Sequence, residues 1–284
     1  MIQSRPRTPL GYLPILLPAF ALIAFYIVPF GSMVGMSFFH NLGGGAYEQV
    51  FTLENYARLV SPFFLSVLGT SFEVAFLVAL FAIVIGFPFT YLLVNARRGT
   101  QVFWLIVMLS VLSLSEAIIG FAWSTLLSRT AGIGVLFEAL GLTEKAQSYA
   151  PSLGAVLAGV TYIAMPYAVL LLYPILSRIE PDIEQASRTL GASPLRAFFN
   201  VIVPMHRTPI VVSFVMIFVF TLGSYLLPQI LGRPTNWTLS VVISDQALLQ
   251  SNMPFAAALS IFLMTVTILL VLLVTLINRK GAKA

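Results

Sequence analysis

The chain has 284 residues, of which 59% are hydrophobic and 9% are charged, and its formal net charge is +5. A mean hydropathy of +0.97 lies outside the range of soluble globular domains. Its apolar stretches, each of about twenty residues or more, can cross a ~30 Å hydrocarbon core as helices, whereas barrel strands would be shorter and alternating. Composition therefore predicts an all-α integral membrane protein with a single transmembrane domain. The absence of cysteine excludes a disulfide scaffold.

Six membrane spans are predicted in chain order. They cover about residues 10–39, 66–94, 101–127, 151–176, 208–231 and 254–277. The first follows two arginines, but its apolar stretch exceeds the ~7–15 residues of a signal-peptide core, so we expect it to be retained. Short amphipathic or surface helices are expected in the connecting segments, at about 53–60, 133–142 and 239–249.

Two acidic residues fall inside predicted spans. Glu73 is in the second span and Glu116 is in the third. An ionised carboxylate in hydrocarbon is costly, so both are candidates to line a hydrated pathway, and the alternative is a hydrogen bond to a neighbouring span. Trp123 follows Glu116 by seven residues, which places it on the same face of a continuous helix. We therefore expect Trp123 to line the pathway with Glu116.

The longest polar segment of the chain, Ile179 to Pro204, follows the fourth predicted span. Pro181 suits the first position of a helix, and the acidic residues after it suit the first turn. Gly191 can adopt the left-handed conformation that ends a helix, and Ser193-Pro194 is typical of the start of another. The segment is predicted to form two short amphipathic helices hinged at Gly191. A solvated linker and a DNA-reading helix-turn-helix are the alternatives.

Within this segment, Glu184-Gln185-Ala186 is followed by Gly191 and later by Pro204. This spacing resembles the Glu-Ala-Ala signature loop in the membrane subunits of ATP-driven, binding-protein-dependent importers, although Gln185 stands where alanine is usual. In that family the loop is a cytoplasmic coupling helix that docks into a groove of an ATPase. The resemblance implies the type I ABC importer permease fold, with the coupling helix between spans four and five. The residues it assigns to ATPase coupling are Glu184, Ala186, Gly191 and Pro204.

A second motif, Gly223 to Gly232, lies at the end of the fifth predicted span. It resembles the spermidine/putrescine-type branch of these permeases, in which Gly-Asp-Phe or Gly-Asp-Tyr is common. Ser224 replaces the acidic residue here, which weakens the case for a polyamine and leaves related small organic solutes open. Tyr225 is a further candidate for the substrate pathway.

Basic residues are distributed unequally between the two sides of the predicted topology. Eleven lie on one side, namely Arg5, Arg7, Arg97, Arg98, Arg178, Arg188, Arg196, Arg207, Arg279, Lys280 and Lys283, and four on the other, namely Arg58, Arg129, Lys145 and Arg233. Lys and Arg near membrane spans are retained in the cytoplasm. This predicts a multi-pass protein of the bacterial inner membrane with both termini and the polar segment in the cytoplasm. Because the basic residues form no single stripe, no nucleic-acid partner is expected.

The sequence lacks motifs for chemistry of its own. None of its three lysines lies in a phosphate-binding G-x-x-x-x-G-K-[ST] loop. His40 and His206 fall in loops that face opposite sides, so they offer neither a metal pair nor a His-centred triad. His206 is expected only to flank the fifth span. We expect a transport subunit rather than an enzyme, with no metal and no cofactor, and with ATP bound by partner subunits.

The function that these features predict is a permease subunit that forms half of a solute pathway and works by alternating access. Family resemblance implies as partners a second, homologous permease in a heterodimer, two ATPase subunits and an external solute-binding protein, with membrane lipid around the spans. An ion-coupled secondary transporter or channel is the alternative, but it would place paired ionisable groups near the midplane. A membrane-embedded enzyme is a further alternative, and it would need a cluster of catalytic side chains that the sequence does not show.

Overall fold

A computed structural model describes residues 18, 20–178, 183, 186, 187, 189 and 191–281, with side chains as far as residue 276. Glu184 and most of the first helix predicted in the polar segment lie outside these residues. The chain divides into two compact units, Met1–Ser61 with Ile243–Met264, and Pro62–Val242 with Thr265–Ala284. Two helices near the C-terminal end, α11 (Leu239–Leu249) and α12 (Met253–Gly281), run from one unit into the other.

The smaller unit begins with helix α1 (Phe20–Met36), which contains a π-helical turn and leads into an antiparallel hairpin. Strands β1 (His40–Gly43) and β2 (Ala46–Glu48) are joined through three successive glycines with positive φ. This hairpin is the one departure from all-α structure among the described residues. Helix α2 (Glu54–Arg58) packs beside it, because the buried Asn55 amide donates to the Ser37 and Phe39 carbonyls at 3.0 and 2.9 Å.

Two long helices, α3 (Pro62–Val94) and α7 (Leu153–Leu176), form the centre of the larger unit. They agree with the predicted second and fourth spans. Small residues allow the two backbones to approach closely: a Cβ placed on Gly86 of α3 would lie 3.0 Å from the Ala168 Cβ of α7. Close packing of this kind stabilises helix pairs in membranes, where burial from water contributes little.

The third predicted span, about 101–127, is not one helix. It consists of α4 (Arg98–Ser113) and α5 (Glu116–Leu126), which meet at an angle of 97°. Leu114 and Ser115 between them are extended, with ψ of 143° and 135°. The prediction of a continuous helix was wrong because hydropathy reports only that a stretch is apolar, and not whether its backbone bonds are continuous. Helix α6 (Ile133–Ala139) follows as the expected short surface helix.

The fifth predicted span, about 208–231, is also interrupted. Helix α8 (Pro194–Met205) bends by 72° into α9 (Arg207–Gly223), and α10 (Leu226–Leu231) follows after extended backbone at Ser224. Three helices of the described part, α3, α7 and α12, are individually long and apolar enough to cross a membrane, or up to five spans if each bent pair counts as one. The first predicted span corresponds to α1, which is described only from Phe20 to Met36.

Candidate functional site: a cavity at two helix breaks

The interruptions of the third and fifth predicted spans line the same cavity, which has a volume of about 550 Å³. The chain contributes Ser115 and Glu116 from the first break, and Val219, Phe220, Gly223, Ser224, Tyr225 and Leu226 from the second. A helix break frees backbone N–H and C=O groups, and such groups are tolerated at membrane depth where they line a cavity. The position of both breaks is therefore consistent with a hydrated site inside the membrane domain.

The cavity is lined by one carboxylate, at Glu116, by the C-terminal end of α9 and by the N-terminal ends of α5 and α10. Glu116 is half-buried and lies in the first turn of α5, where the unpaired N–H groups of the helix stabilise a carboxylate. Helix α9 ends at Gly223, so its C-terminal carbonyls, the negative end of its dipole, lie at the same cavity. Among the described residues that line the cavity none is basic. A cationic group would therefore meet a carboxylate and a helix C-terminus together.

Of the four residues predicted to line the pathway, the structure brings two to the same cavity and places the other two elsewhere. Glu116 and Tyr225 line the same cavity, and Tyr225 is 42% exposed. Trp123 instead lines a different cavity, where its ring lies 5.9 Å from that of Tyr162. Because Glu116 is at the start of α5, a separation of seven residues places Trp123 about 10 Å further along the helix axis. Glu73 is exposed on α3 and does not line the Glu116 cavity.

Sequence reasoning missed the hydrogen bonds that hold the second break. The Ser240 hydroxyl, buried on α11, donates to the Leu222 carbonyl in the last turn of α9. The neighbouring Leu239 N–H donates to the Ser71 hydroxyl of α3 at 2.7 Å. Helix α11 therefore links the end of α9 to α3. The available signal was a serine in each of two helices, a residue that hydropathy alone treats as nearly neutral.

In the polar segment that follows α7, the structure shows the backbone conformation predicted for Gly191. Gly191 has φ of +89°, the left-handed conformation expected of it. Ser193 caps α8 by accepting a hydrogen bond from the Arg196 N–H at 3.4 Å, and Pro194 is the first helical residue. Ala186 is helical and exposed, and Pro204 is exposed in the last turn of α8. The geometry around Glu184 lies outside the described residues.

The apolar face predicted for α8 is only half buried. Phe198 and Ile202 pack into the core, while Leu195 and Phe199 are 71% and 62% exposed. His206 does more than flank the fifth span, because its ring is buried at the 72° bend and bonds through Nδ1 to the Ile202 carbonyl at 2.8 Å. A π-helical turn at Phe198–Ile202 rotates the side chains that follow it relative to an ideal α-helix. A pattern with 3.6 residues per turn therefore could not predict which apolar residues of α8 are buried.

The fold and the site together define a class: a multi-pass membrane transport subunit whose interrupted helices line a cavity that contains one carboxylate, that of Glu116. The sequence matches the family described as "Binding-protein-dependent transport system inner membrane component" over residues 102–282. The chain belongs to this family. It is therefore an inner-membrane permease subunit of a binding-protein-dependent ABC importer, and not an enzyme.

Relatives and solved structures agree with this assignment. The chain is 28% identical to the spermidine/putrescine transport system permease protein PotB of Escherichia coli, over 91% of this chain and 96% of that protein. It is 25% identical to the sulfate transport system permease protein CysT of Synechocystis, over 67% and 70% of the two chains. A crystal structure of a bacterial alginate ABC transporter, in complex with an alginate pentasaccharide-bound periplasmic protein, matches with a TM-score of 0.72 at 17% identity, covering 96% of this chain and 95% of that one. The chain thus has the type I ABC importer permease fold.

Proposed function

We propose that this permease conducts a small organic cation of the polyamine type through the cavity at the two helix breaks. The observation that carries this proposal is the pairing of Glu116 with the C-terminal end of α9 in a cavity with no basic residue among its described lining. Each feature stabilises positive charge, and a protonated amine can be satisfied by a carboxylate and free carbonyls at once. The Tyr225 hydroxyl supplies a further polar group at the cavity wall.

The relatives support this direction without deciding it. The PotB protein, matched over most of both chains, is named for spermidine and putrescine, whereas the CysT protein is named for an anion. An anion in this cavity would face the Glu116 carboxylate and the negative end of a helix dipole. Ser224 does not supply the acidic residue that is common in the polyamine branch, so Glu116 is the one acidic residue in the described lining.

Coupling to ATP hydrolysis belongs to the same proposal. Ala186, Gly191 and Pro204, together with Glu184, would form the surface that docks into a cytoplasmic ATPase. The exposure of Ala186 and Pro204 and the left-handed Gly191 support a bent, accessible segment. The assembly would contain a second, homologous permease, two ATPase subunits that bind ATP, and an external binding protein. Closure of the ATPase dimer would then draw the coupling segments together and open the cavity outward.

Glu116→Gln tests the cationic pathway, because it keeps the shape of the side chain and one acceptor oxygen and removes its charge. Uptake of radiolabelled putrescine or spermidine should fall by roughly tenfold or more, the factor that corresponds to about 1.5–3 kcal/mol for a charge-assisted hydrogen bond. Assembly of the complex and amine binding by the binding protein should be unchanged.

Glu73→Gln is the matched control, since Glu73 is exposed on α3 and lies away from the cavity. It should transport like wild type. Full amine uptake by Glu116→Gln would remove Glu116 from the pathway and with it the argument for a cation.

A further inference from the structure

Two further cavities lie side by side along α7. One, of about 530 Å³, is lined by residues that include Phe81, Ile85, Trp123 and Met165. The other, of about 300 Å³, is lined by residues that include Leu127, Phe137 and Tyr149. Both are lined by Gly154 and Ala158 of α7, so the two cavities are neighbours on this helix. We call the two cavities together the α7 groove.

The α7 groove has the length of a lipid chain. Its lining extends along α7 from Ser152 to Met165, which are thirteen residues apart. At ~1.5 Å per residue this is about 20 Å, whereas one leaflet contributes about half of a ~30 Å hydrocarbon core. The groove thus runs from one end of a membrane-spanning helix past the depth of a single leaflet. The larger cavity alone lies within the roughly 300–1,000 Å³ of ordinary small-molecule sites.

The chemistry of the groove suits hydrocarbon and not the proposed amine. No charged side chain is among its described lining residues, which are mainly aliphatic and aromatic. Phe81, Ile85 and Tyr162 are 41%, 49% and 38% exposed, so the groove is open to the surroundings of the helices. In a membrane those surroundings are acyl chains. An apolar cavity excludes water and is filled by apolar matter that can reach it.

A cationic group stands at the end of the groove where α7 begins. The Arg233 Nε–H donates to the Pro151 carbonyl at 2.9 Å, directly beside Ser152 in the groove lining. Arg233 is exposed, and the terminal nitrogens of its guanidinium can donate to a phosphate in the fork geometry that arginine favours. Tyr149 lines the cavity at this end of the groove, and such aromatics are typical of the membrane interface.

We infer that the α7 groove binds one phospholipid, with an acyl chain along α7 and the phosphate at Arg233. Arg233, at the end of the groove where α7 begins, matches the phosphate of a phospholipid. The apolar lining that extends from there along α7 matches its acyl chain. A helix of the second permease is the competing occupant of the apolar part, and crosslinking from position 158 distinguishes it from a lipid. In the orientation proposed above, this lipid belongs to the outer leaflet.

The inference predicts that filling the groove displaces the lipid. A Cβ on Gly154 would meet only the Ser152 hydroxyl, at 3.8 Å, so Gly154→Leu extends into open space without disturbing the helix contacts. The assembled transporter, washed extensively in detergent, should retain a phospholipid that native mass spectrometry detects in wild type and not in Gly154→Leu or Ala158→Phe. Gly69→Leu is the matched control: Gly69 is exposed on α3 with nothing within 4 Å, and this variant should retain the lipid.

The headgroup contact is tested separately by Arg233→Gln, in which the amide can still donate to Pro151 but carries no charge. Retention of phospholipid should be weaker than in wild type. A photo-crosslinking residue at position 158, in a chain otherwise unchanged, should form an adduct with phospholipid that survives delipidation. Crosslinking of position 158 to the second permease, or equal lipid retention in Gly154→Leu and wild type, would overturn the inference.

Discussion

At the scale of single residues, the backbone at Glu116 and Gly191 determines what each can do. Glu116 stands at the first turn of α5 only because Leu114 and Ser115 are extended, and this position gives its carboxylate the stabilising N-terminus of a helix. At position 191 the φ of +89° favours glycine, because residues with a Cβ rarely adopt this conformation. Space does not require glycine there, since an added Cβ would meet nothing within 4 Å. Its importance is therefore purely conformational.

Gly191→Ala should cost about 1 kcal/mol, because an L-residue with a Cβ is strained in the left-handed region. Gly99 offers a matched comparison: it also has open space around it, but it is helical in the first turn of α4. Gly99→Ala should therefore be neutral, or stabilising by about 0.5–1 kcal/mol. Thermal unfolding of the purified complex should show a lower midpoint temperature for Gly191→Ala and an unchanged or higher one for Gly99→Ala.

The same pair tests the hinge in function. Gly191→Ala, and Gly191→Val more strongly, should reduce substrate-stimulated ATP hydrolysis, while Gly99→Ala should not. Wild-type coupling in Gly191→Val would show that the left-handed turn is not needed.

At the scale of elements, both interruptions of long apolar segments occur at a serine that lines the Glu116 cavity. The break after α4 is at Leu114–Ser115 and the break after α9 is at Ser224, and each contributes to the Glu116 cavity. Helix α11 stabilises the second break, because Ser240 donates a hydrogen bond to the Leu222 carbonyl and the Leu239 N–H donates to the Ser71 hydroxyl of α3. This arrangement makes α11 a positioning element for the cavity wall.

Ser240→Ala should destabilise the larger unit by about 1 kcal/mol, because it leaves the Leu222 carbonyl without its buried donor. Uptake should fall as well, since the last turn of α9 lines the cavity. Ser110→Ala is the control: its hydroxyl is exposed and bonds at 2.8 Å to the Ile106 carbonyl of its own helix, so it links no two elements. Thermal unfolding and uptake should be measured for both variants. If Ser240→Ala is as stable and as active as Ser110→Ala, Ser240 has no positioning role.

At the scale of the whole molecule, the distribution of basic residues predicts the orientation in the membrane. With eleven basic residues on one side and four on the other, both termini and the Gly191 segment are expected in the cytoplasm. Lys145 belongs to the opposite side and is exposed between α6 and α7. The proposed coupling role requires this orientation, because the ATPase subunits of the proposed assembly would be cytoplasmic.

Single cysteines can test the orientation directly, since the natural chain contains none. Lys145→Cys should react with a membrane-impermeant maleimide in intact cells. Ser187→Cys should react only after the cells are permeabilised. Labelling of Ser187→Cys from outside would contradict the proposed orientation and the coupling role together.

The sequence by itself determined the membrane class, the approximate positions of the long helices α3, α7 and α12, and the left-handed conformation of Gly191. These properties depend on summed hydropathy, on local charge and on the conformational freedom of one residue, all of which can be read without knowing any distant neighbour. The family resemblance also rested on spacing within short segments, and the match over residues 102–282 confirms it.

Only the tertiary structure decided which candidate residues meet. Glu116 and Trp123 both lie on α5, but Glu116 lines the cavity at the start of this helix, whereas Trp123 lies about 10 Å further along it, in the α7 groove. The pairing of Glu116 with Tyr225, the bond from Ser240 to Leu222 and the approach of Arg233 to Pro151 join residues distant in sequence. Hydropathy and periodicity carry no information on such pairs, because a helix break changes the direction of everything that follows while leaving the composition of the segment unchanged.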